Sequence, residues 1–127
     1  MTLVDTSSWI EQLRRGGDPG VRARVEALLV AGEAAWCPIV ELELWNGARG
    51  DREFAAIRRM AEILVSLDID PEVWSMTHKI ARSCRERGIT VPATDILVVA
   101  CARRHGLQIE HHDRHFSLIE EAEGAGG

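Results

Sequence analysis

With 127 residues, the chain is long enough for one hydrophobic core and too short for two. Its 46% apolar and 28% charged content excludes a disordered polymer, and a net charge of −5 disfavours indiscriminate attraction to nucleic acid or anionic lipid. Any nucleic-acid role therefore needs a local basic patch or a metal ion.

In chain order, "TLV" reads as a first strand running into Asp5, and "TSSWIEQL" as a helix with hydroxyl residues at its start and Trp9, Ile10 and Leu13 inside. "RRGGDPG" breaks that helix, and Val21, Val25, Leu28 and Leu29 then repeat at helical spacing up to Gly32. "AAWCP" is expected as a second strand. The next helix covers roughly 39–48, with Val40, Leu44 and Ala48 in one row and Gly47 or Gly50 at its end. Phe54, Ile57, Met60, Ala61 and Leu64 predict an amphipathic helix over 52–64, and "VSLDID" a short strand before Pro71 opens a helix over 71–87. After "RGITVPATD", the stretch "DILVVACARRHG" predicts a mostly buried helix stopped by Gly106. "LQIEHHD" reads as a last strand and "RHFSLIEEA" as a closing helix, so that 1–123 forms a single domain and 124–127 a flexible Gly/Ala tail. Strands alternating with helices predict an α/β fold in which a parallel or mostly parallel sheet is covered on both faces.

Cys37, Cys84 and Cys101 are odd in number, lack CxxC spacing and sit mostly among apolar residues, which points to small buried side chains in a reducing compartment rather than disulfides or a cysteine zinc site. No signal segment is recognisable at the start, and the longest apolar run, "ILVVACA" at 96–102, is too short to span a bilayer. The expected location is the cytoplasm, with no membrane partner. Of the 15 basic residues only Lys79 is a lysine. Arginine forks suit phosphate contacts, and Arg14–Arg15, Arg58–Arg59 and Arg103–Arg104 are candidate RNA-backbone contacts, although a GC-rich genome produces the same richness.

In open parallel sheets, ligands collect at the carboxyl ends of the strands. Asp5 ends the first strand, Asp113 ends the last, Asp95 opens the helix after Pro92, and Glu41 or Glu43 lies on the helix after the second strand. Each has an ordinary structural explanation: Asp5, Asp95 and Asp113 as caps or turn residues, and the glutamates as a solvated face. Together, carboxylates in one cleft repel each other unless a cation is present, and oxygen ligands without convergent cysteines suit Mg²⁺ or Mn²⁺. Such ions promote phosphate-ester hydrolysis.

The stretches "LVDTSSWI", "ELWNGAR" at 43–49, "PATDILVVACARRHG" at 92–106 and "IEHHDRHF" at 109–116 resemble the acidic motifs of the PIN-domain ribonucleases, and more narrowly the VapC toxins of bacterial toxin–antitoxin pairs. The likeness runs from Met1 to about Ile119. It implies a PIN-like three-layer α/β/α sandwich acting as an Mg²⁺- or Mn²⁺-dependent endoribonuclease. Asp5, Asp95 and Asp113 would be the metal ligands, and Glu43, preferred over Glu41, a further catalytic acid. Thr6 or Ser7 would orient Asp5 or a water. His115 stands where the ending "D.DF" has its second acid, which leaves Asp113 alone at that corner. The resemblance further implies a VapB-like antitoxin, a homodimer with the possibility of a higher toxin–antitoxin assembly, DNA binding only through the antitoxin, and a structured RNA substrate such as tRNA.

His111 and His112, adjacent on a strand end, point to opposite faces and cannot grip one metal together. Arg114 and His115 are candidates to touch a substrate phosphate or an antitoxin chain. The tryptophans Trp9, Trp45 and Trp74 read as core residues, or as partner contacts if exposed. Three rival readings are a phosphoacceptor domain, for which Lys79 is poorly placed within a predicted helix, a non-catalytic RNA-binding scaffold, and a zinc site built from His111, His112, His115 and a cysteine.

Overall fold

The computed structural model describes residues 1–124. Its strands are β1 (Thr2–Val4), β2 (Ala34–Trp36), β3 (Val65–Ser66) and β4 (Gln108–Glu110), and they form one parallel sheet in the order β3-β2-β1-β4. Leu3 in the centre pairs with Ala35 on one side and Ile109 on the other. Helices α1 (Thr6–Leu13) and α2 (Pro19–Ala31) connect β1 to β2, and α3 (Pro38–Gly47) and α4 (Gly50–Ile63) connect β2 to β3. The return to the far side of β1 runs through α5 (Pro71–Glu86) and α6 (Ala93–Arg104), and α7 (His115–Gly124) closes the fold. Because parallel strands are joined by right-handed crossovers, the steps β1 to β2 to β3 place their helices on one face and the return to β4 places its helices on the other. Most helix contacts follow that division: α1 packs on α2 and α3, and α3 on α4, whereas α5, α6 and α7 pack on one another, and α3 and α6 meet across it. This is the expected three-layer α/β/α sandwich.

Local chemistry sets the helix ends. Asp18 and Asp70 each precede a proline at the first helical position and accept a backbone N–H in the next turn, Val21 N at 3.0 Å and Val73 N at 2.9 Å. Gly32 ends α2 at φ 69°, a conformation that side chains with a Cβ adopt only at a cost. Leu3, Val4, Ala35 and Trp36 are buried in the central strands, and Trp9 is buried above them. Residues Ile96 to Ala102 of α6 are all buried, as an unbroken apolar run on a helix between a sheet and its neighbours requires.

Three expectations are corrected. The third strand is confined to Val65–Ser66 because the chain leaves its only neighbour, β2, just after Leu67 N–H bonds to Trp36 O. The last strand stops at Glu110, so His111 and His112 lie in a loop rather than on a strand. In α4 the inward row is Glu53, Ile57 and Met60; Ala61 faces out and Phe54 is half-buried against Trp45. Of the predicted tail, Gly124 is the last residue of α7, and 125–127 lie outside the described residues. Among the described residues, no helix is long and apolar enough to cross a membrane.

Candidate functional site

The carboxyl ends of β1 and β4 lie side by side, so the residues that leave these strands meet above the sheet. Asp5 N–H makes the last bond of that ladder, to Glu110 O at 2.9 Å, and Asp5 then becomes the N-cap of α1. Its Oδ2 accepts both the N–H and the hydroxyl of Ser7, at 2.9 and 2.7 Å. The capping explanation for Asp5 is therefore correct as far as Oδ2 is concerned. The Ser7 hydroxyl in turn accepts His112 N–H at 2.9 Å, which ties the loop carrying Asp113 to the first acid. Thr6 donates its hydroxyl to Glu43 Oε1 at 3.0 Å. Of the two candidate glutamates, Glu43 thus faces the cleft, while Glu41 accepts Trp45 Nε1–H on the same helix.

Asp95 sits in the first turn of α6, whose N-cap is Pro92, and does not cap that helix. It is 7% exposed, and its Oδ2 is buried without a hydrogen-bond partner. Such an orphaned oxygen is costly and rare, and it needs a cause. Asp113 Oδ1 accepts the His115 N–H at 2.8 Å, and His115 Nδ1 stands 2.8 Å from the same oxygen and 3.4 Å from Asp95 Oδ2. One donor atom from each of Asp95, Asp113 and His115 falls within 4.8 Å of the others.

The charges of these groups act on one another, with Asp5 and Glu43 lying outside the tight group of Asp95, Asp113 and His115. Burial pushes Asp95 up to about 7, helped by the charges of Asp5, Asp113 and Glu43, with His115 opposing. Burial also raises Asp5, against the Ser7 hydrogen bonds and with a contribution from Asp113. Glu43 is raised by burial and by Asp5, against its bond from Thr6. For Asp113, burial acts upward, but the His115 backbone and ring outweigh it and hold the carboxyl below its ordinary value. Each of the four carboxylates therefore feels at least one of the others. A divalent cation would relieve this repulsion and give Asp95 Oδ2 a partner, so the donor set fits a metal site of oxygen character.

The remaining predicted residues separate clearly. His111 stacks on the buried ring of Phe116, with centroids 4.7 Å apart, and His112 is exposed, so the three histidines do not gather around a zinc ion. Cys37, Cys84 and Cys101 are free and buried. Arg114 is exposed beside the cluster. Arg14 is occupied by Gly47 O and Glu53, Arg103 pairs with Glu123, and Arg104 pairs with Asp70 and Glu72, which leaves Arg15, Arg58 and Arg59 as exposed cations. Trp9 is core, Trp45 half-buried and Trp74 47% exposed.

Sequence reasoning missed Glu110. Its Oε2 accepts the hydroxyl of fully buried Ser8 at 2.7 Å and its Oε1 pairs with Arg24 Nε at 2.7 Å, binding β4, α1 and α2 together beneath the acids. The available signal was an acid in the last residue of a strand, a place where burial against the following helices demands a partner.

Comparison with known proteins agrees with the fold and the family resemblance. The PIN domain family matches residues 2–122. Ribonuclease VapC11 of Mycobacterium tuberculosis is 34% identical over 122 residues, covering 94% of this chain and 91% of that protein. Among solved structures, VapBC-1 from nontypeable Haemophilus influenzae superposes with a TM-score of 0.73 at 16% identity, covering 94% of this chain and 92% of that one. VapBC-5 from M. tuberculosis, a member of the VapBC family of toxin–antitoxin systems, superposes at 0.69 with 21% identity, covering 94% and 90%. The chain belongs to the PIN-domain family, in its VapC-type branch.

Proposed function

We propose that the protein is a divalent-metal-dependent endoribonuclease toxin of the cytoplasm, restrained by a VapB-like antitoxin. The observation that carries this reading is the convergence of Asp5, Glu43, Asp95 and Asp113 at the ends of β1 and β4, with Asp95 Oδ2 buried and partnerless. The ribonuclease name of VapC11 and the toxin–antitoxin description of VapBC-5 support it.

Asp5, Asp95 and Asp113 would hold Mg²⁺ or Mn²⁺. When bound, such an ion polarises a phosphoryl oxygen and makes water more acidic. The chain's own residues set the geometry. Ser7 fixes Asp5 Oδ2 and leaves Oδ1 for the site, and Thr6 fixes Glu43 Oε1 and leaves Oε2 to accept a proton from an attacking water. The raised proton affinity of Glu43 suits that role, since a base works best with a pKa nearer the working pH. No covalent nucleophile is needed. Arg114, exposed and next in sequence to Asp113 and His115, would meet a substrate phosphate.

The acidic net charge suits a toxin whose antitoxin supplies the basic surface, with DNA bound only through that partner. A homodimer, or a larger assembly with antitoxin, would cover exposed apolar residues such as Trp74. Substrate choice would rest on shape and on local contacts from exposed arginines such as Arg58, Arg59 and Arg114, as in a structured RNA such as tRNA.

The test is incubation of total cellular RNA with antitoxin-free protein in Mg²⁺, Mn²⁺ or chelator. Discrete fragments that require metal are expected; intact RNA throughout, from folded and metal-loaded protein, would instead indicate a binding module. Ser7→Ala should lower kcat about tenfold or more while costing only about 1–2 kcal/mol of stability, because it removes one of the two bonds that hold Asp5 Oδ2 and releases the His112 loop without opening a large cavity. Single-turnover rates beside denaturant melts check this, and unchanged rates would remove Ser7 from the site.

A further inference from the structure

We propose that His115 Nδ1 is itself a ligand of the divalent ion, so that the site is a mixed carboxylate–imidazole centre that prefers Mn²⁺ to Mg²⁺. The inference rests on the metal-dependent reading above and goes beyond it by naming a donor and a selectivity. By sequence this position looked like a lost acid. The structure instead turns its ring nitrogen into the cleft, 2.8 Å from Asp113 Oδ1 and 3.4 Å from Asp95 Oδ2.

Three observations converge. First, neighbouring ligand atoms on an octahedral ion with bonds of about 2.1 Å stand about 3 Å apart, and the donors of Asp95, Asp113 and His115 already approach that spacing. Second, Asp95 Oδ2 is buried without a hydrogen-bond partner, and His115 Nδ1, which lies 3.4 Å from it, is buried with only the Asp113 carboxylate beside it, at 2.8 Å and outside good hydrogen-bond geometry. A buried acceptor and a ring nitrogen aimed at one point are placed as two ligands of one cation would be. Third, the ring is held in place by its own backbone: His115 opens α7, and its N–H is anchored on Asp113 Oδ1. His111 cannot substitute, because its ring is stacked on Phe116.

The selectivity follows from ligand chemistry. Mg²⁺ favours oxygen donors and retained water, whereas Mn²⁺, also served by carboxylates, is a first-row transition ion that accepts an imidazole nitrogen more readily. Replacing one carboxylate of an all-oxygen set by an imidazole therefore weakens Mg²⁺ relative to Mn²⁺. It also removes one negative charge from a site where the remaining carboxylates repel one another.

The test uses the full chain, MnCl₂ and MgCl₂, and pulsed electron paramagnetic resonance on protein labelled with ¹⁵N-histidine. The wild type should bind Mn²⁺ with coupling to one directly bound nitrogen. His115→Gln should lose that coupling and bind Mn²⁺ at least about tenfold more weakly. His115→Asp should recover Mn²⁺ binding without nitrogen coupling and reduce the preference for Mn²⁺ over Mg²⁺. Mn²⁺ bound by the wild type with no nitrogen coupling would overturn the proposal while leaving the carboxylate site intact: the ring would then serve only as an ion-pair partner of Asp113 and Asp95. Failure of the folded wild type to bind Mn²⁺ at all would overturn both readings.

Discussion

Asp95→Asn is expected to raise the melting temperature of the metal-free protein and, at the same time, to abolish RNA cleavage. The ordinary pKa of this group is 3.8, and in the folded chain it is pushed up to about 7, chiefly by burial. Between those values the folded protein holds a proton that the unfolded chain has released, so stability falls as pH rises from about 4 to about 7. Above that window the ionised carboxylate costs on the order of 2–4 kcal/mol, which asparagine, of the same shape and without charge, does not incur. At about pH 8 the variant should therefore melt roughly 10 °C above the wild type, and near pH 4 the difference should vanish. Metal at about a thousand times its dissociation constant should reverse the order, since an ion that binds only the folded wild type then adds about 4.1 kcal/mol. Calorimetric melts at the two pH values, with and without Mn²⁺, check each sign. A variant less stable than the wild type at about pH 8 without metal would contradict the account of Asp95.

The second large effect is expected at Glu110, which touches no substrate. Glu110→Ala strands the hydroxyl of Ser8, which is completely buried, and removes the link from β4 to α1 and α2. Losing a charge-assisted hydrogen bond and leaving its donor unsatisfied costs about 2–4 kcal/mol. The Arg24 contact adds little, because its side chain is more than half exposed. Glu110→Gln, which keeps an acceptor for Ser8, should lose far less. The pair Ser8→Ala with Glu110→Ala should cost less than the sum of the singles, because neither polar group is then left alone. Urea melts of the four proteins decide this; additive losses would mean that the Ser8 bond does not carry the effect.

The element order was legible because its punctuation is local. Asp18–Pro19 and Asp70–Pro71 start helices through groups adjacent in sequence, and Gly32 stops one by adopting a conformation other residues avoid. The ends of β3 and β4 were not legible, because they depend on where the partner stops. β4 cannot continue past Glu110: β1 ends at Val4, and Asp5 turns into α1, so nothing remains for His111 and His112 to pair with. The buried face of α4 was misjudged for a related reason, since Glu53 is drawn inward by Arg14 and the Arg49 N–H, partners that pattern alone does not reveal.

The acids at strand ends could be read from topology, but their roles needed geometry. Which glutamate entered the cleft was settled between neighbours on one helix by Thr6, a contact 37 residues apart in sequence. The orphaned state of Asp95 is invisible in sequence, where a carboxylate in the first turn of a helix reads equally well as a cap. His115 looked like a departure from the motif, and only its ring orientation shows a nitrogen turned toward Asp95 and Asp113.

The most direct measurement is single-turnover cleavage of one RNA target, at saturating Mn²⁺, by the wild type, Asp5→Asn, Asp95→Asn and the double variant. If the carboxylates act as one unit, each single change should reduce the rate by about a thousandfold or more, and the double variant should lose little beyond either single. Cleavage that survives in both single variants, or falls in independent additive steps, would contradict a shared metal-dependent centre at Asp5 and Asp95.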